Sequence, residues 1–184
     1  HDDGHVRPID WRTAVVMVLG AGSMYLLPQR FTETGPLVLF GVYFLALILL
    51  LATDLDQRLL PDVITLPMIP ISLVVTVAGW NPLVPQSGLL GAAIVALAVP
   101  AGLFALSIPF GEGAIGLGDL KLLVSVGLLS GLSRTVIGVI GGALLAGIVI
   151  VVLLATRRVT MKSYIPFGPF LIAGAFWAAL VNTA

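Results

Sequence analysis

Two acidic stretches of this sequence stand directly beside long apolar runs, where a charged side chain is costly. The first contains Asp54 and Asp56, and the second is Gly116-Leu117-Gly118-Asp119-Leu120-Lys121. Two carboxylates that meet in a poorly hydrated site do not both ionise readily, so they tend to share a proton. The ionised group can take a proton from water while the protonated group hydrogen-bonds to a carbonyl. We therefore interpret Asp54 and Asp119 as a catalytic pair that hydrolyses a peptide bond.

The residues around Asp119 have two interpretations each. Gly116 and Gly118 have no Cβ, so an extended substrate strand could pair with this backbone. The alternative is a flexible connector between two helices. Lys121 either holds Asp119 and sets its proton affinity or is a simple interfacial cation, and we favour the second interpretation.

Three further positions are candidates for supporting the site. Asp56 and Asp62 could be metal ligands or substrate contacts, although Asp62 follows Pro61 and fits a helix N-terminus better. Pro166, with Pro169, is expected to distort the start of the last apolar helix and could shape a substrate groove. The proposed hydrolysis needs no metal, so we predict neither a metal nor a cofactor.

The overall composition is that of an integral membrane protein. Hydrophobic residues make up 59% of the chain, charged residues make up 10%, and the mean hydropathy is +1.13. A soluble domain is usually about 25% charged, so this chain has too little polar surface to face water all round. The net charge of zero argues against a nucleic-acid partner. The absence of cysteine excludes disulfides, thiolate metal sites and cysteine nucleophiles.

Charged residues and Pro/Gly breaks divide the apolar sequence into segments long enough to cross a bilayer. We predict an all-α, polytopic membrane helix bundle with a polar segment at 1–12 and a single peptidase domain at 13–184. The seven predicted spans are residues 13–29, 35–53, 63–80, 88–109, 120–133, 135–156 and 163–184. Arg134 is expected to mark the turn between the fifth and sixth spans. Small residues of the sixth span should allow close helix packing: Gly138, Gly142, Ala143 and Gly147.

Seven spans place both acidic stretches on the same side of the membrane. That side collects seven basic residues, namely Arg7, Arg12, Arg58, Lys121, Arg157, Arg158 and Lys162. The other side has only Arg30 and Arg134, so the first side is predicted to be cytoplasmic. The alternative interpretation of the two aspartates is that they are ordinary interface carboxylates paired with Arg58 and Lys121.

The two acidic motifs together resemble those of the type IV prepilin peptidases, which are A24-type membrane aspartic proteases. The resemblance rests on residues 54–62, on residues 116–122 and on the closing Ile165-Pro166-Phe167-Gly168-Pro169-Phe170. It covers about residues 35–184. It implies that Asp54 and Asp119 are catalytic and that the lipid bilayer and prepilins or type II secretion pseudopilins are the partners.

The resemblance also implies where and what the enzyme cuts. Cleavage would occur on the cytoplasmic face of the bacterial inner membrane, after a glycine and before a hydrophobic mature segment. Many members carry two CxxC pairs in an N-terminal domain that is linked to N-methylation. This chain has no cysteine, so we do not expect methyltransferase activity from it.

Two other functions use the same acids. Presenilin-like and signal-peptide-peptidase-like proteases cut within a transmembrane helix, but they show Tyr-Asp and a late Pro-Ala-Leu element. Here Thr53 precedes the first acid and no Pro-Ala-Leu occurs. A proton- or cation-coupled carrier would place its acids near the bilayer midplane, whereas these lie at the ends of apolar runs. The residues alone leave both alternatives open.

Overall fold

The computed structural model describes residues 10–110, 115–157 and 167–181, and every regular element in those ranges is helical. The predicted all-α bundle is therefore confirmed. The helices are α1 (Trp11–Arg30), α2 (Thr34–Gln57), α3 (Asp62–Val77), α4 (Leu89–Ser107), α5 (Leu117–Ala155) and α6 (Gly168–Leu180). Short 3-10 turns occur at Gln86–Gly88 and Ile108–Phe110.

Helix α5 is a hairpin of two arms rather than one straight rod. Gly131 interrupts it with φ 73° and ψ −179°, a backbone conformation that glycine adopts readily. The Thr135 hydroxyl donates to the Val126 carbonyl at 3.4 Å, although nine residues of a straight helix would span about 13 Å. The arms, residues 117–130 and 132–155, therefore fold back on each other. The predicted break is confirmed, but it falls at Gly131 rather than at Arg134.

Three of the helices have the length and composition of membrane-spanning segments. Within the described ranges, three are long and apolar enough to cross a membrane, namely Thr34–Gln57, Gln86–Ser107 and Leu117–Ala155. Helices α3 and α6 are apolar but shorter. The chain is thus built as a multi-pass membrane protein, and the count of seven spans stays a prediction.

Glycines bring the arms of α5 close to their neighbours. A Cβ added to Gly127 would overlap the backbone of α4 at Ala96. On the second arm, a Cβ on Gly138 or Gly142 would lie 2.6 Å from a carbonyl oxygen of α6. These contacts confirm the predicted close packing at Gly138 and Gly142. The prediction for Gly147 is not supported, because its Cβ would meet nothing within 4 Å among the residues that the structure describes.

Candidate active site

Helix α2 brings Asp54 into the protein interior. Its fully buried side chains recur three or four residues apart, which is the spacing of one helix face; they are Phe40, Phe44, Leu47, Leu50 and Leu51. Asp54 continues this stripe and is 5% exposed. Asp56 lies two residues further, on another face of the helix. The helical period therefore separates the two acids of the first stretch.

The link from α2 to α3 turns back across the site. Arg58 caps α2 in the left-handed conformation, with φ 56°, and its N–H donates to the Asp54 carbonyl at 2.8 Å. The link then meets the second motif, because a Cβ on Gly118 would lie 2.7 Å from Leu60 Cβ and 3.1 Å from the Leu60 carbonyl oxygen. The close backbone approach expected at Gly118 is thus made to this chain's own Leu60.

Asp119 enters the site from the first turn of α5. It is 8% exposed, and Gly116, the residue before the helix, donates a backbone hydrogen bond to it. A Cβ on Gly116 would lie 3.3 Å from Asp119 Oδ2. The glycine therefore leaves room for the carboxylate beside its own backbone.

Gly168, the first residue of α6, shows how close the two aspartates are. A Cβ on Gly168 would overlap Asp54 Oδ2 and would lie 3.1 Å from Asp119 Oδ1. The two carboxylates are therefore within about 6 Å of each other, the range over which like charges interact. Asp54 Oδ2 is buried and has no hydrogen-bond partner among the described residues.

The two carboxylates line a cavity of about 670 Å³ at one end of the bundle. Residues of both acidic stretches, the α2–α3 link and the start of α6 form its wall. Most of the predicted site residues share this cavity: Asp54, Asp62, Gly116, Gly118, Asp119 and Lys121. Folding thus brings together two motifs that are far apart in the sequence.

Lys121 pairs with Asp62 rather than with Asp119. Its Nζ donates to Asp62 Oδ1 at 2.6 Å. Asp62 is the first residue of α3, so the predicted helix N-terminus is confirmed. The ion pair joins α3 to α5 at the rim of the cavity, where both side chains are partly exposed.

One predicted residue does not join this group, and the position of another is not described. Asp56 is not part of the cavity wall, and its Oδ1 lies 3.7 Å from Arg12 Nη1. Pro166 lies outside the described residues. Across the three described ranges, no cluster of three His, Cys, Asp or Glu side chains is arranged to hold a metal ion.

Sequence reasoning assigns no role to Gly168. It stands between two prolines in the motif Pro166-Phe167-Gly168-Pro169. A glycine at the first turn of an apolar helix is the available signal. Its role in the fold depends on where Asp54 and Asp119 lie, and the sequence around Gly168 does not reveal their positions.

The described residues form a bundle of apolar helices with a pair of buried carboxylates at one end, which defines a helical membrane protein with an acidic site. Comparison with known proteins identifies the family of this chain. Residues 41–152 match the model of the type IV leader peptidase family. This chain belongs to that family.

Curated relatives carry the name prepilin leader peptidase/N-methyltransferase. The protein from Pseudomonas putida is 34% identical over 138 residues, covering 74% of this chain and 46% of the relative. The protein from Pseudomonas aeruginosa is 31% identical over 150 residues, covering 81% and 50%. This chain therefore spans about half the length of the relatives it matches. No solved structure matches the chain significantly.

Proposed function

We propose that this protein is an aspartic endopeptidase that removes the leader peptide of type IV prepilins or type II secretion pseudopilins. The observation that carries the proposal is the meeting of Asp54 and Asp119 at Gly168 in one cavity. The names of the relatives support prepilins as the substrates. No role in N-methylation is proposed, because the cavity offers acids but no feature that we can assign to methyl transfer.

The proposed mechanism uses the two carboxylates as one acid–base unit. The ionised carboxylate takes a proton from a water molecule as the water oxygen bonds to the scissile carbonyl carbon. The protonated carboxyl donates a hydrogen bond to the carbonyl oxygen, where negative charge develops. The carbon–nitrogen bond then breaks, and the amine leaves with a proton from the pair. Asp54 Oδ2, which has no hydrogen-bond partner among the described residues, is available to this water.

The charge distribution supports a cavity that faces the cytoplasm. Arg12, Arg58 and Lys121 lie at the end of the bundle that holds the aspartates. Arg30 and Arg134 lie at the opposite end, close enough for their positive charges to repel each other. Cytoplasmic ends of membrane helices carry the excess of basic residues, so we place the protein in the bacterial inner membrane with the site on the cytoplasmic side.

Cleavage of a purified prepilin in liposomes tests the activity. The wild-type protein should release a mature product whose N-terminus, read by mass spectrometry, follows the leader. Asp54→Asn and Asp119→Asn should each lower the rate by about 10³-fold or more, because acid–base catalysis is lost. Glu33→Gln, which changes a carboxylate before α2 at the opposite end, is the matched control and should cut normally.

Three results would contradict the proposal. Near-normal cleavage by either aspartate variant would remove that residue from the mechanism. Cleavage within the apolar segment would instead favour an intramembrane protease of the presenilin type. Proton-linked uptake with no peptidase activity would favour a carrier.

Single cysteines test the orientation, because the chain itself has none. Leu59 at the site end and Trp80 at the opposite end are both exposed. In intact cells with a permeable outer membrane, an impermeant maleimide should label Trp80→Cys but not Leu59→Cys. Labelling of Leu59→Cys alone would reverse the proposed orientation.

A further inference from the structure

A second cavity lies between α2 and α3, beside the cavity that holds the aspartates. It encloses about 420 Å³ and is lined almost entirely by apolar side chains. We call it the α2–α3 groove, and its wall includes Val38, Val42, Tyr43, Val63, Ile71 and Ser72. The two helices scarcely touch each other, and Val42 and Ile71 are more than half exposed. The groove therefore opens sideways, toward the bilayer.

The groove begins where the aspartate cavity ends. Asp62 lines the aspartate cavity, and the next residue, Val63, lines the groove. On α2, the groove reaches Ala46, which lies two helical turns, or about 12 Å, before Asp54. A chain that crosses the aspartates can thus continue directly into the groove.

Tyr43, which is part of the groove wall, has a buried hydroxyl. The side chain is 6% exposed, and its hydroxyl lies beside Ser125 without a well-formed hydrogen bond to any described residue. Ser72, also on the groove wall, is already bonded to the Met68 carbonyl and to Ser125. A buried polar group without a partner destabilises the folded protein. A bound segment that offers Tyr43 a hydrogen bond would offset part of this destabilisation.

We propose that the α2–α3 groove binds the apolar segment that follows the cleavage site of the substrate. This inference rests on the proposed function. A helical segment would place side chains three, four and seven residues apart into the groove, as in other helix-in-groove complexes. The groove wall runs from Val38 to Ala46 and from Val63 to Ser72, about two turns of helix on each side. Binding there holds the scissile bond beside Asp54 and Asp119.

Filling the groove should slow the cleavage of a substrate that has the apolar segment and should spare a substrate that lacks it. Ile71→Trp blocks the groove, and Ile140→Trp is the matched control, because Ile140 is similarly exposed on α5 but is not part of the groove wall. In liposomes, Ile71→Trp should lower cleavage of full-length prepilin at least about tenfold. Both variants should cut a soluble peptide that covers the leader and cleavage site, without the apolar segment, within about twofold of wild type.

The same assay can overturn the inference. Wild-type cleavage of full-length prepilin by Ile71→Trp would show that the segment binds elsewhere. An equal loss on both substrates would show that the substitution damages the site and not the groove.

Cross-linking tests the groove without relying on cleavage. A photoreactive residue at position 42, in the Asp119→Asn background, should cross-link to the apolar segment of full-length prepilin, and one at position 140 should not. Cross-links to lipid alone would overturn the inference and make the groove a lipid site. If the wild-type protein cleaves prepilin but no cross-link forms at position 42, only this inference fails. If cleavage is absent, the proposed function fails instead.

Discussion

The two ends of the helix bundle both bury polar side chains, but they satisfy them differently. At the end opposite the aspartates, Asn81 donates to the Thr76 hydroxyl at 3.0 Å and to the Leu129 carbonyl at 2.8 Å. Asn81 Oδ1 accepts from the Leu83 N–H at 3.0 Å. Leu129 lies just before the break at Gly131, where the last carbonyls of a helical arm lack helical partners. The side chains here replace missing backbone hydrogen bonds.

At the site end, the buried polar groups are two carboxylates. The described residues only partly compensate their charge and their hydrogen-bonding capacity. Asp54 Oδ2 has no hydrogen-bond partner among them, and Asp119 has a second carboxylate nearby. Such an arrangement costs stability unless water or substrate completes it. One end is therefore stabilised by hydrogen bonds, whereas the other retains two partly uncompensated acids, which the proposed catalysis would use.

Apart from the loss of either aspartate, the largest expected effect on cleavage is at Gly168. Replacing it with alanine should lower prepilin cleavage by about 100-fold or more, because the new methyl group overlaps Asp54 Oδ2 and displaces the carboxylates. The rate per folded molecule measures this effect. Gly141→Ala is the control, since a Cβ at Gly141 meets no described residue within 4 Å. Equal rates for the two variants would mean that the carboxylates do not need their present positions.

Asn81→Ala tests the opposite end. The loss of three hydrogen bonds should lower the free energy of unfolding by about 1–3 kcal/mol. Thermal or denaturant unfolding in detergent measures this change. The cleavage rate of the folded fraction should stay within about twofold of wild type, because the residue is far from the aspartates. A selective loss of rate would break the proposed division between the two ends.

Removing a charge from the aspartate pair should raise the free energy of unfolding, whereas Asn81→Ala should lower it. Asp54→Asn should abolish cleavage yet raise the free energy of unfolding by about 1 kcal/mol, because it removes a buried charge that faces another carboxylate. The unfolding midpoint, compared with that of wild type in the same detergent, checks the sign. A lower midpoint would show that the Asp54 carboxylate is fully compensated in the folded protein.

The smallest expected effect is on the ion pair at the cavity rim. Lys121→Met should lower stability by less than about 1 kcal/mol, because exposed ion pairs contribute little. Cleavage should fall less than about threefold if Lys121 only joins α3 to α5. Double-mutant analysis with Asp62→Asn measures the coupling. A loss comparable to that of Asp119→Asn would instead assign Lys121 to the chemistry.

The sequence predicted most of the helices because each is an apolar run ended by charge, proline or glycine. The start of α3 at Asp62 and the break within α5 were both visible in this way. The exact position of the turn could not be predicted in this way. Arg134 is the charged residue there, but Gly131 is the residue that tolerates a positive φ. The separation of Asp56 from Asp54 followed from helical periodicity and could have been predicted.

By itself, the sequence determined that this protein is helical, that it belongs in a membrane and that two acidic motifs require an explanation. These properties depend on local composition and on spacing within a single helix. Only the tertiary structure decided that Asp54 and Asp119 meet at Gly168, that Lys121 pairs with Asp62 and that a groove opens between α2 and α3. Those features depend on the distances between helices, and side chains far apart in the chain set these distances by packing together.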